Sequence, residues 1–270
     1  MEQHLIIIDL DGTLLLSFME YDQETMNYLK KLHADNHLIM IATGRPFRSS
    51  YFIYEMLGLK TPIINYNGAL VSNPHDNKFI GTDLRINREE LFDILDYAKD
   101  YLINVFSEIH DNIYVLDYNP SIHPYLHTDG GVLYEGRLQD NLPDDPNGAI
   151  LFIKEEFVEP LALYVKEKYS NTLYSRYWGE NEEFHIVEIY NKNVNKGEGL
   201  KQTMEYYNIP KERVIAIGDG HNDIEMFNCA GIKVAMANAH PELLPHANII
   251  TTSNKEQGVL KFLKNYFKLD

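Results

Sequence analysis

Residues 5–15 read LIIIDLDGTLL. Leu5 and three β-branched isoleucines run straight into Asp9, and the run stops at Gly12-Thr13. A short continuous apolar stretch closed by a turn signal predicts a strand buried on both faces. On an extended chain residues i and i+2 point the same way, so Asp9 and Asp11 would lie side by side. Two such carboxylates repel unless a cation or a shared proton stands between them. Alone, the stretch equally describes a turn carrying solvated acids.

Working outward, similar runs recur: HLIMIAT (37–43), PIINYNG (62–68), RVIAIGD (213–219), IKVAMAN (232–238) and ANIITTS (247–253). Helical patterns separate most of them. Past Asp22, a candidate N-cap, Met26, Leu29 and Leu32 share one face. The alternation predicts an α/β chain, a Rossmann-like doubly wound parallel sheet. From 83 to 190 the rhythm changes. NREELFDILDYAKDYL opens with Asn87 and Glu90 at capping-box spacing and carries Leu91, Ile94, Leu95 and Ala98 on one face. NIYVLDYN, AILFIKE, TLYSRYW and FHIVEIYN are strand candidates mixed with polar and aromatic residues, and EEFVEPLALYVKEKY is helix-like. These features predict an inserted α+β domain at 83–190, with a core formed from 1–82 and 191–270.

Asp9, Thr43, Asn67 and Asp219 all fall at or just past the carboxyl ends of expected parallel strands, where open α/β sheets bind ligands. The loop IGDGHND (217–223) adds Asp223 and Asn222. Asp9, Asp11, Asp219 and Asp223 would then converge, and such an oxygen-only set suits Mg²⁺ rather than Zn²⁺. The competing account of this loop is helix capping, and His221 alone is weak evidence of a ligand. ATGRP places Thr43, Gly44 and Arg45 at a strand end, where a hydroxyl and backbone N–H groups can hold phosphate oxygens. Lys196, ahead of the helical pattern Leu200, Met204, Tyr207, is a candidate counter-charge, with Lys192 and Lys201 as rivals.

The net charge of −16 among 270 residues argues against nucleic acid and anionic membrane as partners. The single Cys229 excludes an internal disulfide and reads as a packing residue in a reducing, cytoplasmic setting. No stretch approaches the roughly 18 apolar residues of a membrane span.

DLDGT, ATGR, a Lys-Gly before a helix, and GDGHND, in that order, resemble the four motifs of the haloacid dehalogenase superfamily of phosphohydrolases. The cap-sized gap between the second and third motifs, together with NYNGA (65–69) and the GDxxNDxxM form ending at Met226, resembles its Cof-type branch. The resemblance covers essentially the whole chain. It implies Asp9 as nucleophile, forming an aspartyl-phosphate, and Asp11 as general acid and base with its carboxyl left free. Mg²⁺ would be held by Asp9, the Asp11 backbone carbonyl, Asp219, and Asn222 or Asp223. Thr43 and Lys196 would hold the phosphoryl oxygens. Gly44, Arg45, Asn67 and Gly68 would contact substrate, although Arg45 or Asn67 equally suits loop support. The substrate would be a small phosphorylated metabolite (a sugar phosphate, flavin mononucleotide, pyridoxal phosphate or nucleotide) and the protein a monomer or small homo-oligomer. A phosphomutase, or a non-catalytic phosphometabolite-binding regulator, is the alternative. In the cap, Tyr174, Tyr177, Trp178, His185 and Glu188 are candidate substrate contacts, with sheet packing as the plainer role.

Overall fold

The computed structural model describes residues 2–128 and 130–268. In chain order the elements are β1 (Leu5–Ile8), α1 (Gln23–Ala34), β2 (Leu38–Ile41), α2 (Phe47–Met56), β3 (Ile63–Asn65), β4 (Leu70–Ser72) and β5 (Thr82–Asp83). There follow α3 (Arg88–Ala98), β6 (Leu102–Ile109), β7 (Asn112–Val115), α4 (His123–Leu126), β8 (Val132–Glu135), α5 (Leu138–Asn141), β9 (Gly148–Ile153), α6 (Val158–Tyr169), β10 (Leu173–Glu180) and β11 (His185–Asn191). The chain closes with α7 (Lys196–Tyr207), β12 (Val214–Gly218), α8 (Ile224–Cys229), β13 (Ile232–Ala235), β14 (Ile249–Ile250) and α9 (Gly258–Phe267).

Two compact units result. The first takes the chain up to Arg45, Ser50–Thr82, and the chain from Asn195 onward. Its main sheet runs β14-β13-β12-β1-β2, parallel throughout. Leu5 and Ile7 belong to a cluster with Leu200, Met226 and Phe227, while Ile6 and Ile8 alternate to the other face. All four strand residues are buried, each stabilising by about 1.5–3 kcal/mol relative to exposure. Helix α1 starts where expected: Asp22 Oδ2 accepts the Thr25 N–H at 2.7 Å, and Met26, Leu29 and Leu32 are buried. Cys229 is half-buried, and burial pushes its thiol pKa up, as suits a packing residue. Among the described residues no helix is long and apolar enough to cross a membrane.

The third apolar run behaves differently from a central parallel strand. β3 pairs antiparallel with β4 in a separate small sheet, β3-β4-β5. It meets β2 only as that strand ends, through a parallel bridge from Ala42 to Ile64. Positive φ at Tyr66 (49°) and Asn67 (56°) turns the chain back immediately, too soon for a crossover helix.

The second unit comprises Pro46–Ser49 and Asp83–Val194. Its sheet runs β10-β11-β9-β6-β7-β8, antiparallel except for β7 with β8. Helices α3 and α6 bury Leu91, Ile94, Leu95, Leu161 and Val165 against Val105, Leu151, Ile153, Val187 and Ile189. Asn87 caps α3, its Oδ1 accepting the N–H groups of Glu89 and Glu90. β6 and β8 fall in stretches whose polar residues hide them from a periodicity reading: Asn104, Ser107 and Glu108 lie within β6 yet are buried.

Candidate active site

The parallel register builds the site. Ile8 pairs with Ile41 on one side and Ile217 on the other, so these strands end level. Asp9, Thr43 and Asp219 therefore emerge next to one another. The Asp9 N–H still bonds the Ile217 carbonyl at 3.1 Å, extending the ladder by one step. The chain then turns sharply through Gly12, at φ 76°. A Cβ on Gly12 would stand 2.2 Å from Asp219 Oδ2. Thus Gly12 lets the first loop lie directly against the second. Gly12→Ala is expected to cost at least about 1–2 kcal/mol from the left-handed backbone alone, with further loss as Asp219 is displaced. Urea denaturation reads it.

Lys196 opens α7, where the Asn195 side chain accepts the Glu198 N–H at 2.9 Å. That cap fixes the entry of the chain and sends Lys196 inward. Its ammonium is fully buried and donates to Asp9 Oδ1 and Asp223 Oδ1, each at 2.6 Å. Asp223 Oδ2 accepts the N–H groups of Asp219 and Gly220, both at 3.0 Å. One buried aspartate thereby ties the loop to the lysine. Asp219 Oδ1 accepts the Thr13 hydroxyl at 2.7 Å. Asn238 donates to the Gly12 carbonyl at 2.8 Å.

Asp9, Asp219 and Asp223 each place a carboxylate oxygen within 4.8 Å of the others. Three carboxylates here face one ammonium. Burial raises the pKa of Asp9 well above the ordinary range, and the neighbouring Asp223, Asp219 and Asp11 push the same way against Lys196. Burial, with Asp223, likewise pushes Asp219 up to about 6 despite the Thr13 bond. Lys196 is raised too, for a different reason: burial disfavours its charge, but Asp223 and Asp9 outweigh that and hold it above the normal lysine range. The residues fit a hard divalent cation, because the donors are all oxygen and the site carries uncompensated negative charge. Asp219 Oδ2 has only the long 3.5 Å bond from the Asn238 amide, and among the described residues Asp9 Oδ2 accepts no hydrogen bond.

The other sequence candidates fall into place around this centre. Thr43 is buried, its Oγ1 accepting the Arg45 N–H at 3.1 Å. Its carbonyl accepts the Asn67 N–H at 3.0 Å. Gly44 packs against Asn67, and Gly68, at φ 110°, has no room for a Cβ beside the Asn195 carbonyl, 2.3 Å away. Asn222 donates to Asn67 Oδ1 at 2.8 Å, so its amide nitrogen joins the two loops. Asp11 is the departure. Its carboxylate lies outside the group of three, more than half exposed, and is gripped by Arg45 through Nε at 2.8 Å and through Nη2. The guanidinium in turn lies 4.5 Å from the Phe18 ring. Asp11 is therefore not free in this arrangement: a buried cation directs it.

Thr13 and Asn238 were not singled out by sequence. Thr13 sits inside the quoted motif, and Asn238 lies just past a parallel strand end, so the rule that found Asp219 also applied to it.

The sequence profile of the haloacid dehalogenase-like hydrolases matches residues 6–263. This chain belongs to that family. It is 34% identical over 267 residues to 5-amino-6-(5-phospho-D-ribitylamino)uracil phosphatase YitU of Bacillus subtilis, covering 98% of each chain. It is 28% identical over 287 residues to phosphatase YwpJ of the same species, covering 97% of this chain and 99% of that one. A Thermotoga maritima crystal structure superposes with a TM-score of 0.80 at 27% identity, covering 98% and 97%. The chain is a haloacid dehalogenase-like phosphatase, a hydrolase of phosphoric monoesters.

Proposed function

We propose that this phosphatase removes phosphate from a small phosphorylated metabolite through an aspartyl-phosphate on Asp9, with Mg²⁺ as its metal. The observation that carries the reading is the buried Lys196 bridging Asp9 and Asp223, with Asp219 alongside. Asp9 Oδ2 is the oxygen left to attack phosphorus: a P–O bond forms to Asp9 as the ester P–O bond breaks. Lys196 fixes the carboxylate's orientation and offsets charge on the transferring group. Thr43, with the backbone of Gly44 and Gly68, lines the phosphoryl pocket. Asp11 takes a proton from the water that cleaves the aspartyl-phosphate. In the first step it donates one to the leaving alkoxide, which requires Arg45 to relax its grip. Asp9, Asp219 and the Asp11 backbone carbonyl would hold Mg²⁺, with Asn222 and Asp223 behind them. When bound, the cation neutralises phosphoryl charge and aligns the group for in-line transfer.

The relationship to YitU makes a phosphorylated ribitylaminouracil the first substrate to try. The test is phosphate release across a panel of sugar, flavin, pyridoxal and ribitylaminouracil phosphates. EDTA should abolish release and Mg²⁺ restore it. Indifference to chelator removes the metal, and no release from any ester removes the reading.

The metal also has a thermodynamic signature. Asp219 is raised from 3.8 to about 6, so the stability that its protonated form contributes is fully present below the unfolded value and is lost as pH rises through about 6. A cation takes over from the proton above that point. The rise in Tm on adding Mg²⁺ is therefore expected to be small near about pH 5 and larger near about pH 7.5. Scanning calorimetry at both pH values checks this; an equal shift contradicts it.

A further inference from the structure

We propose that Asn65 is a positioning residue for the phosphoryl pocket: its side-chain amide pins the Arg45 carbonyl, and through Arg45 it aims the Thr43 hydroxyl at the phosphoryl group. The inference rests on the phosphatase reading, in which Thr43 lines that pocket.

The turn at Thr43, Gly44 and Arg45 is stitched to the end of β3. The Thr43 N–H donates to the Ile64 carbonyl at 2.9 Å, and the Thr43 carbonyl accepts the Asn67 N–H at 3.0 Å. The turn then runs into Pro46, which has no N–H. The peptide joining Arg45 to Pro46 can therefore be anchored only by its carbonyl. Two groups hold that carbonyl: the Tyr66 N–H at 3.3 Å and Asn65 Nδ2 at 2.9 Å. The other hydrogen of the Asn65 amide goes to Ser50 Oγ in α2, also at 2.9 Å.

Arg45 is thus fixed at both ends, because its N–H donates to Thr43 Oγ1 at 3.1 Å. A threonine hydroxyl that accepts one bond still has its own hydrogen to give. Thr43 is fully buried, and among the described residues nothing accepts that hydrogen. With the acceptor side of the oxygen committed to Arg45, the hydrogen is left for a bound phosphoryl oxygen. A shift of the Arg45 peptide would free the hydroxyl to turn and spoil that aim.

The chemistry of Asn65 supports the role. The residue is fully buried, and its Oδ1 has no hydrogen-bond partner. A leucine of similar size would fill the space without an unmet acceptor of its own, so packing alone does not account for an amide here. The amide's two N–H groups are what the position uses, and one of them holds the turn of the pocket.

Calorimetric titration of the full chain with inorganic phosphate, in the presence of Mg²⁺, tests the inference. Asn65→Leu is expected to weaken phosphate binding by about tenfold, the effect of one well-aimed hydrogen bond. KM for a hydrolysed ester should rise in step while kcat changes by no more than about threefold, because the hydroxyl holds the phosphoryl group alike in the ground and transition states. Ser50→Ala removes only the amide's other partner and should leave the phosphate Kd within about twofold. In a Thr43→Val background Asn65→Leu should have no further effect, since the hydroxyl that it aims is gone. Partial unfolding lowers the stoichiometry rather than the affinity, so a purely structural brace would leave Kd unmoved. An unmoved Kd, an equal loss in Ser50→Ala, or additive losses with Thr43→Val overturns the inference. Should leucine prevent folding, Asn65→Ser, whose shorter side chain loses the contact with Arg45, takes its place with the same expectations. If the parent binds phosphate but hydrolyses no ester, the phosphatase reading fails and the titration still decides the role of Asn65; if the parent binds no phosphate, the inference falls.

Discussion

Lys196→Met is expected to lower stability at neutral pH by about 3–5 kcal/mol, the range for breaking a buried ion pair by removing one partner. The side chain is fully buried and has two carboxylates at 2.6 Å. Methionine fills the space but leaves Asp9 and Asp223 facing each other without a cation. Asp223 has a second commitment, holding the N–H groups of Asp219 and Gly220, so it cannot turn away without loosening the loop. Asp9 has an escape: its pKa is already raised, and protonation removes one of the two charges. The deficit should therefore shrink as pH falls, and Mg²⁺ should recover part of it at neutral pH. Turnover should not return, because neither remedy restores the ammonium beside the transferring group. Urea denaturation at two pH values, with and without Mg²⁺, measures each part. Native stability in the metal-free variant at neutral pH would show that the pair is not what holds the loops together. Since whole domains are stable by only about 5–15 kcal/mol, the expected loss is large enough to see without ambiguity.

Why the central elements were readable in the sequence, and others not, follows from what each must bury. β1, β2, β12 and β13 lie inside a parallel sheet, so their apolar runs are continuous. Strand β6 hides because its buried polar residues are satisfied by tertiary partners: the Ser107 hydroxyl bonds the Gly148 carbonyl, and Asn104 Nδ2 bonds the Asp117 carbonyl at 2.7 Å. No local pattern announces a partner 13 or 41 residues away. The same limit applies to the site. Asp9, Asp219 and Asp223 could be placed by strand ends and a loop, because backbone geometry carries them. The Arg45–Asp11 pair could not, because it depends on which way two long side chains turn once α2 and the first loop are packed. Gly12 was visible as a turn residue, but its role as the contact point with Asp219 exists only in three dimensions.

Asp9→Asn is expected to separate chemistry from architecture. The amide keeps the shape of the carboxylate, and its oxygen can still accept from Lys196, which retains Asp223 as its charged partner. It also removes one of three crowded carboxylates, one whose ionised form burial opposes. Folding should therefore survive, with Tm within a few degrees of the parent. Catalysis should not: an amide oxygen is a far poorer nucleophile toward phosphorus, and losing a covalent nucleophile costs about 10⁴-fold or more in kcat. Acid-quenched parent enzyme mixed with labelled substrate should retain phosphate on the protein in a form cleaved by hydroxylamine, as an acyl phosphate is; the variant should retain none. This outcome is the reverse of that for Lys196→Met, where stability falls along with activity. The two variants together distinguish an attacking residue from a supporting one, even though their side chains touch. If Asp9→Asn instead kept near-parent turnover, phosphorus would have to be attacked by some other group, and the Lys196 bridge would be a structural brace alone.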